Sequence, residues 1–185
     1  MIRRQPGKVT RDTGTVPLQS TCLCLLVRNG ADGAPEVLLG HKKTGFGQGK
    51  IVAIGGHVEP GESAAEAAAR EVKEETGLGV TPAALTEAAR ITFLFPLRPA
   101  WDMNVDVFTC TEWSGEPAES AEILPCWFPV AALPFDRMWD DGRRWLPRVL
   151  AGERLRATFS YAADGETVAA ATITPLDGHY ATEVQ

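Results

Sequence analysis

Along this chain apolar residues come in short runs broken by glycine and proline. "LQSTCLCLLVRN" is rich in β-formers, and Cys22 and Cys24, two apart, fall on one face of a strand. After the turn "GADGAPE", the run "EVLLGHKK" can pair back as a hairpin. "TGFGQGK" is a glycine-rich loop. "IVAIGG" is a short buried strand ending on Gly55 and Gly56, and "HVEPGE" is a loop with Pro60-Gly61 as its turn signal. The pattern then changes period. Ser63 with Glu66 makes a capping box, Ala64 to Thr76 is alanine-rich without a breaker, and Gly77 suits a left-handed C-cap, which predicts a helix over 64–76. Residues 78–90 read as a mixed connection. "RITFLF", "MNVDVFTCTEW" and "ILPCWFPV" read as strands. "FDRMWDDGRRWLPRVLAG" carries Met138, Trp145 and Leu146 near helical spacing and stops at Gly152, which predicts a second helix. "LRATFSY" and "TVAAATI" form a last hairpin across "AADGE". Strands before, between and after two helices predict an α/β layered domain over 18–175. A flexible arm at 1–17 and a frayed tail at 176–185 flank it.

Composition narrows the classes. A chain of 185 residues suffices for one domain with a sizeable core. No apolar run approaches the ~18 residues of a membrane span. The start, "MIRRQPGKVTRDTGTV", has no apolar segment behind its arginines, so it does not read as a secretory signal. The net charge of −6 argues against binding polymeric nucleic acid. It leaves a nucleotide substrate open, because a bound divalent cation reverses the local field. Cys22, Cys24, Cys110 and Cys126 lack the paired spacing of a metal site and read as reduced core thiols, which with the rest points to the cytoplasm.

The chemistry is concentrated in "REVKEETG". Glu71, Glu74 and Glu75 crowd one side of the helix, where like charges cost about 0.2–0.5 kcal/mol per pair. Near a C-terminus they also oppose the helix dipole. Arg70 lies four residues before Glu74 and can hold it. That leaves Glu71 and Glu75 facing each other without an obvious basic partner. One reading is a solvated acidic face. The other is a site for a hard divalent cation, which takes carboxylates, phosphate oxygens and water, and which polarises a phosphoryl group and activates water. Gly55 and Gly56 upstream, where backbone can approach a ligand closely, favour the second.

At these residues a resemblance appears. "GHVEPGESAAEAAAREVKEETGL" resembles the signature of the Nudix (MutT-like) hydrolases. Gly56, Glu62, Arg70, Glu71, Val72, Glu74, Glu75, Gly77 and Leu78 fill its defined positions. The resemblance implies an α/β/α sandwich with a mixed central sheet. It also implies Mg²⁺-dependent cleavage of a nucleoside diphosphate linked to another group, with Mn²⁺ as a second candidate cofactor. Carried over, Glu71 and Glu75 bind metal with the Gly55 carbonyl, and Glu74 is a further ligand or hydrogen-bonds to one. Arg70 orients these carboxylates, and Glu62 braces loop and helix. Glu122 in "SAEILPCWF" is the candidate remote acid, as metal ligand or general base.

"KKTGFGQGK", "PCWF" and "MWDDGRRWLP" resemble the oxidised purine nucleoside triphosphatases within that family. A purine wants a flat aromatic surface and a few polar groups at its edge. Trp139, Asp141, Phe46, Phe93 and Met103 are the candidates for these; Trp127 and Trp145 read as core. Lys42 and Lys43 are candidate phosphate contacts. There are departures. Val52 stands where the subgroup reads the base with asparagine, Ile51 where tryptophan is usual, and Gly142 where a second aspartate follows Asp141. Losing buried polar readers relaxes discrimination. The expected reaction is hydrolysis of a nucleoside triphosphate, such as 8-oxo-dGTP, to monophosphate and pyrophosphate by a monomer or homodimer. Cleavage of ADP-ribose or another nucleotide-sugar, and a non-catalytic nucleotide-binding module, are the alternatives. His41, His57 and His179 have no nucleophile motif beside them; His57, directly after Gly56, reads as a loop histidine bonded to backbone, with a place lining the site as the alternative.

Overall fold

Strand β1, Gln19–Asn29, is the spine of the molecule, because its alternate residues are buried on both sides. Leu25 and Leu26 are both fully buried, in two different core clusters. Such two-sided burial needs a layer on each face of the sheet. The computed structural model describes residues 18–177; the predicted arm at 1–17 and residues 178–185 of the predicted tail lie outside it.

The other strands are β2 (Pro35–Lys42), β3 (Ile51–Val52), β4 (Ile54–His57), β5 (Thr86–Leu94), β6 (Met103–Cys110), β7 (Ile123–Pro129), β8 (Leu155–Tyr161) and β9 (Val168–Pro175). Their order is β3-β2-β1-β6-β5-β8-β9, with β4 on β1 and β7 on β2. β1–β6 and β5–β8 are parallel and the rest antiparallel, so the sheet is mixed. Helix α1 (Ala64–Thr76) lays Ala67, Ala68 and Val72 on one face, against Cys22, Cys24, Leu26, Leu38 and Ile54. Helix α2 (Gly142–Leu150) lays Trp145, Leu146 and Val149 on the other, against Leu25, Val37, Leu39, Ile91 and Phe159. This is the expected α/β/α sandwich. Among the described residues no helix is long and apolar enough to cross a membrane. All four cysteines are free thiols.

Three boundaries differ from the sequence reading, each for a local reason. "IVAIGG" is split at Ala53: β3 pairs with β2, whereas β4 pairs with β1. β5 begins at Thr86, inside the expected connection, and a bulge between Glu87 and Ala89 accommodates the extra residue. The second helix is shorter than predicted, starting at Gly142, and Phe135–Arg137 is a separate 3₁₀ turn. Between them the Asp140 carboxylate accepts the Val168 N–H, 3.0 Å away, and ties this segment to β9.

α1 begins and ends as its sequence dictates. The Ser63 hydroxyl accepts the Glu66 N–H at 3.3 Å, and the Glu66 carboxylate accepts the Ser63 N–H at 2.7 Å. Gly77, at φ 77°, closes the helix in the left-handed region, its N–H on the Lys73 carbonyl. Replacing Ser63 with alanine removes one half of the box. Urea unfolding of Ser63→Ala is expected to show a loss of about 1 kcal/mol; an unchanged midpoint would mean that the box contributes nothing.

Candidate active site

α1 runs past β4, and this places its acidic face beside the glycine pair. Glu62 and Arg70 form the first link. Arg70 Nη2 donates to Glu62 Oε1 at 2.7 Å and Nε to Oε2 at 3.2 Å, while Glu62 Oε1 also accepts the Glu59 N–H at 2.8 Å. The loop is thus braced onto the helix, as expected for Glu62. Arg70 goes further than the sequence suggested. Its Nη1 donates to Glu71 at 2.9 Å and to Glu74 at 3.1 Å, and its Nη2 to the His57 carbonyl at 2.9 Å. The expectation that Arg70 holds Glu74 alone and leaves Glu71 free is therefore corrected. A planar guanidinium with five N–H donors can serve several carboxylates at once.

Glu75 also has partners that the helix sequence does not reveal. Lys42, at the end of β2, donates from Nζ to Glu75 Oε1 at 3.0 Å, and the Gly55 N–H donates to Oε2 at 3.1 Å. The same ammonium donates to Glu122 Oε2 at 3.0 Å, so Lys42 bridges the helix and the segment before β7. Burial pushes the Glu75 carboxyl above the usual range; Lys42 and the Gly55 N–H act the other way but do not cancel it. Burial likewise works against the charge on Lys42, but two carboxylates outweigh that, and its pKa is raised. The pair is unequal because Lys42 has two anionic partners and Glu75 has one cation.

Gly55 is required here by the backbone, and Gly56 leaves room for the Glu71 carboxylate. A Cβ on Gly55, whose φ is +154°, would stand 2.1 Å from the Cys22 carbonyl oxygen. On Gly56 it would stand 2.4 Å from Glu71 Oε1. Glu71, Glu74, Glu75, Glu122 and Gly55 all line one cavity. This oxygen-only donor set fits a hard divalent cation. Among the described residues, no group of three or more acidic, histidine or cysteine side chains is already gathered for a metal. Arg70 and Lys42 hold the glutamates instead.

The cavity measures about 680 Å³ and continues from these carboxylates to an aromatic end. Phe46, Val52, Phe93, Met103, Trp139 and Asp141 all line it, as the sequence reading expected. Phe46 stacks on Trp139, with centroids 5.0 Å apart and planes 19° from parallel. Phe93 stacks on Phe159 at 5.7 Å and forms the wall toward the core. Asp141 is 5 % exposed. Its Oδ2 accepts the Trp145 Nε1–H at 2.7 Å, and its Oδ1 accepts the Tyr161 hydroxyl. Burial raises its pKa and that of Tyr161. Trp145 is buried, as expected. Trp127 is only half-buried, stacked on Trp113 and covered by Arg28.

Two expectations change. Lys43 does not line the cavity; its ammonium is held by Glu119 at 2.7 Å and by the Ser120 carbonyl. His57 ends β4 rather than lying in a loop, and its ring pairs with the Gln19 side chain at 2.7 Å; it lines the cavity, the alternative expected for it. The sequence reading also missed Phe95, Trp101 and Tyr161. Trp101 meets Phe46 and Phe95 edge-on at 5.2 and 5.6 Å, and Phe95 stacks on Tyr161 at 4.5 Å. Phe95, two residues after Phe93, was open to the period-2 rule. Nothing local marks Trp101 or Tyr161.

A mixed sheet between two helices, with an acidic helix face beside a glycine pair and an aromatic cavity, is the α/β architecture of a hydrolase of the Nudix class. Residues 17–149 match the NUDIX domain model, and the chain belongs to the Nudix hydrolase family. It is 41 % identical over 126 residues to the oxidized purine nucleoside triphosphate hydrolase of Danio rerio, spanning 68 % of this chain and 79 % of that one. It is 36 % identical over 142 residues to the protein of the same name from Mus musculus, spanning 77 % and 88 %. The crystal structure of the MutT protein from Bacillus halodurans superposes with a TM-score of 0.68 at 25 % identity, covering 84 % of this chain and 97 % of that one. Nudix hydrolases act with divalent cations.

The two glycines should differ sharply on substitution. In Gly55→Ala the added carbon meets backbone in a strained conformation, for an expected loss of about 2–6 kcal/mol. In Gly56→Ala it meets only the end of a side chain, which can rotate, so stability should stay within about 1 kcal/mol while Glu71 is displaced. Thermal melts of both variants check this; equal melting points would contradict the packing described.

Proposed function

We propose that this enzyme hydrolyses purine nucleoside triphosphates, oxidised purines such as 8-oxo-dGTP among them, to the monophosphate and pyrophosphate. Mg²⁺ is the proposed cofactor, with Mn²⁺ as a substitute. The observation that carries the reading is the single cavity joining the α1 carboxylates and Lys42 to an aromatic slot that ends on Asp141. One end suits a triphosphate and the other a purine. The two relatives bearing the name oxidized purine nucleoside triphosphate hydrolase support the same substrate class.

Glu71, Glu75, Glu122 and the Gly55 carbonyl are the proposed metal ligands, with Glu74 at the edge of the set. The metal, when bound, would neutralise phosphate charge and polarise the phosphoryl group. Arg70 positions Glu71 and Glu74. Glu75, made more basic by burial, or the more exposed Glu122 takes the proton of the attacking water. Trp139, Trp101 and Phe95 line the slot proposed for the base, and Asp141 is proposed to read its edge. Val52 and Gly142 bring no polar side chain, so the base is gripped by stacking more than by hydrogen bonds.

Two outcomes follow. Glu75→Gln keeps the shape of the side chain and is expected to lower kcat about 10²–10⁴-fold with the fold intact by circular dichroism; a wild-type rate would remove Glu75 from the site. Pyrophosphate release with Mg²⁺ from 8-oxo-dGTP, 2-oxo-dATP, dGTP and dATP should show turnover of all four purines, with weak discrimination between oxidised and normal bases. Turnover of ADP-ribose alone, to AMP and a sugar phosphate, would overturn the substrate assignment.

A further inference from the structure

Lys42 occupies an unusual position for a residue that would only touch substrate. Its ammonium lies between two carboxylates from separate elements, Glu75 on α1 and Glu122 before β7, 3.0 Å from each. The Lys42 side chain is 14 % exposed and that of Glu75 only 5 %. A carboxylate so buried is strongly disfavoured without a cation beside it. Lys42 supplies that cation from the chain itself.

The backbone of Lys42 is fixed independently of this role. Its N–H donates to the Lys50 carbonyl at 2.9 Å, and its carbonyl accepts the Gly49 N–H at 2.8 Å. The flexible side chain can therefore change partners while β2 stays in register. Glu122, 61 % exposed, gives it a way out to the open side of the cavity. A divalent cation on Glu75 and Glu122 would compete with the ammonium for the same two carboxylates, and two positive charges repel at that range.

We propose that Lys42 is a resident counter-ion for the metal site. It holds Glu75 and Glu122 together while the site lacks a divalent cation. It yields both carboxylates when the cation binds, and its released ammonium turns into the cavity toward the substrate phosphates. This rests on the reading that Glu75 and Glu122 are metal ligands, and the test separates the two.

The test uses the full chain without nucleotide. Trace acetylation of lysine amines is quantified by peptide mass spectrometry, in chelator and then in saturating Mn²⁺. Lys42 is expected to be protected in chelator and at least tenfold more reactive with Mn²⁺. Lys43 and Lys50, paired with Glu119 and Glu166, serve as internal references that do not change. Calorimetric titration with Mn²⁺ gives the second readout: Lys42→Met, which has no competing charge, is expected to bind about tenfold more tightly than wild type. Its melting point should lie below wild type in chelator and recover with metal. If Mn²⁺ binding is weakened by Glu75→Gln yet Lys42 reactivity does not change, the counter-ion proposal is overturned while the ligand reading stands. If Glu75→Gln and Glu122→Gln both leave Mn²⁺ binding unaltered, the ligand reading fails and takes the proposal with it. Should Lys42→Met not fold, the acetylation experiment on wild type decides alone.

Discussion

Glu71, Glu74, Glu75 and Glu122 share the wall of one cavity, and two cations of the chain, Arg70 and Lys42, keep them there. Arg70 ties Glu62, Glu71 and Glu74 to the loop after β4, and Lys42 ties Glu75 to Glu122. Without these pairs, helix α1 would present like charges to each other and bury one of them uncompensated. The rest of the site is arranged around this constraint. β4 carries Gly55 and Gly56 because the β1 backbone leaves no room for a Cβ at the first, and the Glu71 carboxylate crowds the second. β7 lies on β2 with Lys42 opposite Ile123, which brings Glu122 to the ammonium. The capping box and the Gly77 cap fix where α1 starts and stops, and so which residues face the cavity.

The aromatic end follows a different logic. Its aromatic walls come from five separate stretches: the glycine-rich loop with Phe46, β5 with Phe93 and Phe95 just beyond it, a 3₁₀ turn at Pro99–Trp101 with Trp101, the segment before α2 with Trp139, and the end of β8 with Tyr161. Edge and face contacts between rings set their position, with Lys50 over the Trp139 ring at 4.5 Å and Arg98 over the Trp101 ring at 4.4 Å. Asp141 is the polar exception. Two protein donors orient it before any ligand arrives, so its remaining acceptor positions have a fixed direction. On the proposed reading, a slot of this kind would grip a planar base by stacking and discriminate among bases weakly, the counterpart of Val52 and Gly142 standing where polar readers were expected.

What the sequence made legible was local or carried by fixed spacing. The bounds of α1, its caps and the hairpins β1–β2 and β8–β9 all depend on residues a few positions apart. The acidic face and its glycine neighbours were visible for the same reason. The bridge by Lys42 was not, since it joins residues 33 and 80 positions distant. Nor was the full reach of Arg70, because its bonds to Glu62 and the His57 carbonyl depend on how β4 passes the helix. Trp101 and Tyr161 carry no periodic signature that separates a cavity wall from core, and only the packing of β8 beside β5 shows Tyr161 bonded to Asp141. The second helix came out shorter than its spacing implied: residues 139–142 form a separate turn closed by the Gly142 N–H on the Trp139 carbonyl, with Asp140 bonded across to β9.

The central claim is spatial: metal at the α1 carboxylates and base at the Trp139 end of the same cavity. Anomalous diffraction from a crystal soaked with Mn²⁺ and a non-hydrolysable purine triphosphate tests it most directly. The account predicts an anomalous peak among Glu71, Glu75 and Glu122, with the purine on Trp139 and its edge toward Asp141. Manganese bound elsewhere, or a base lying outside the aromatic slot, would contradict it.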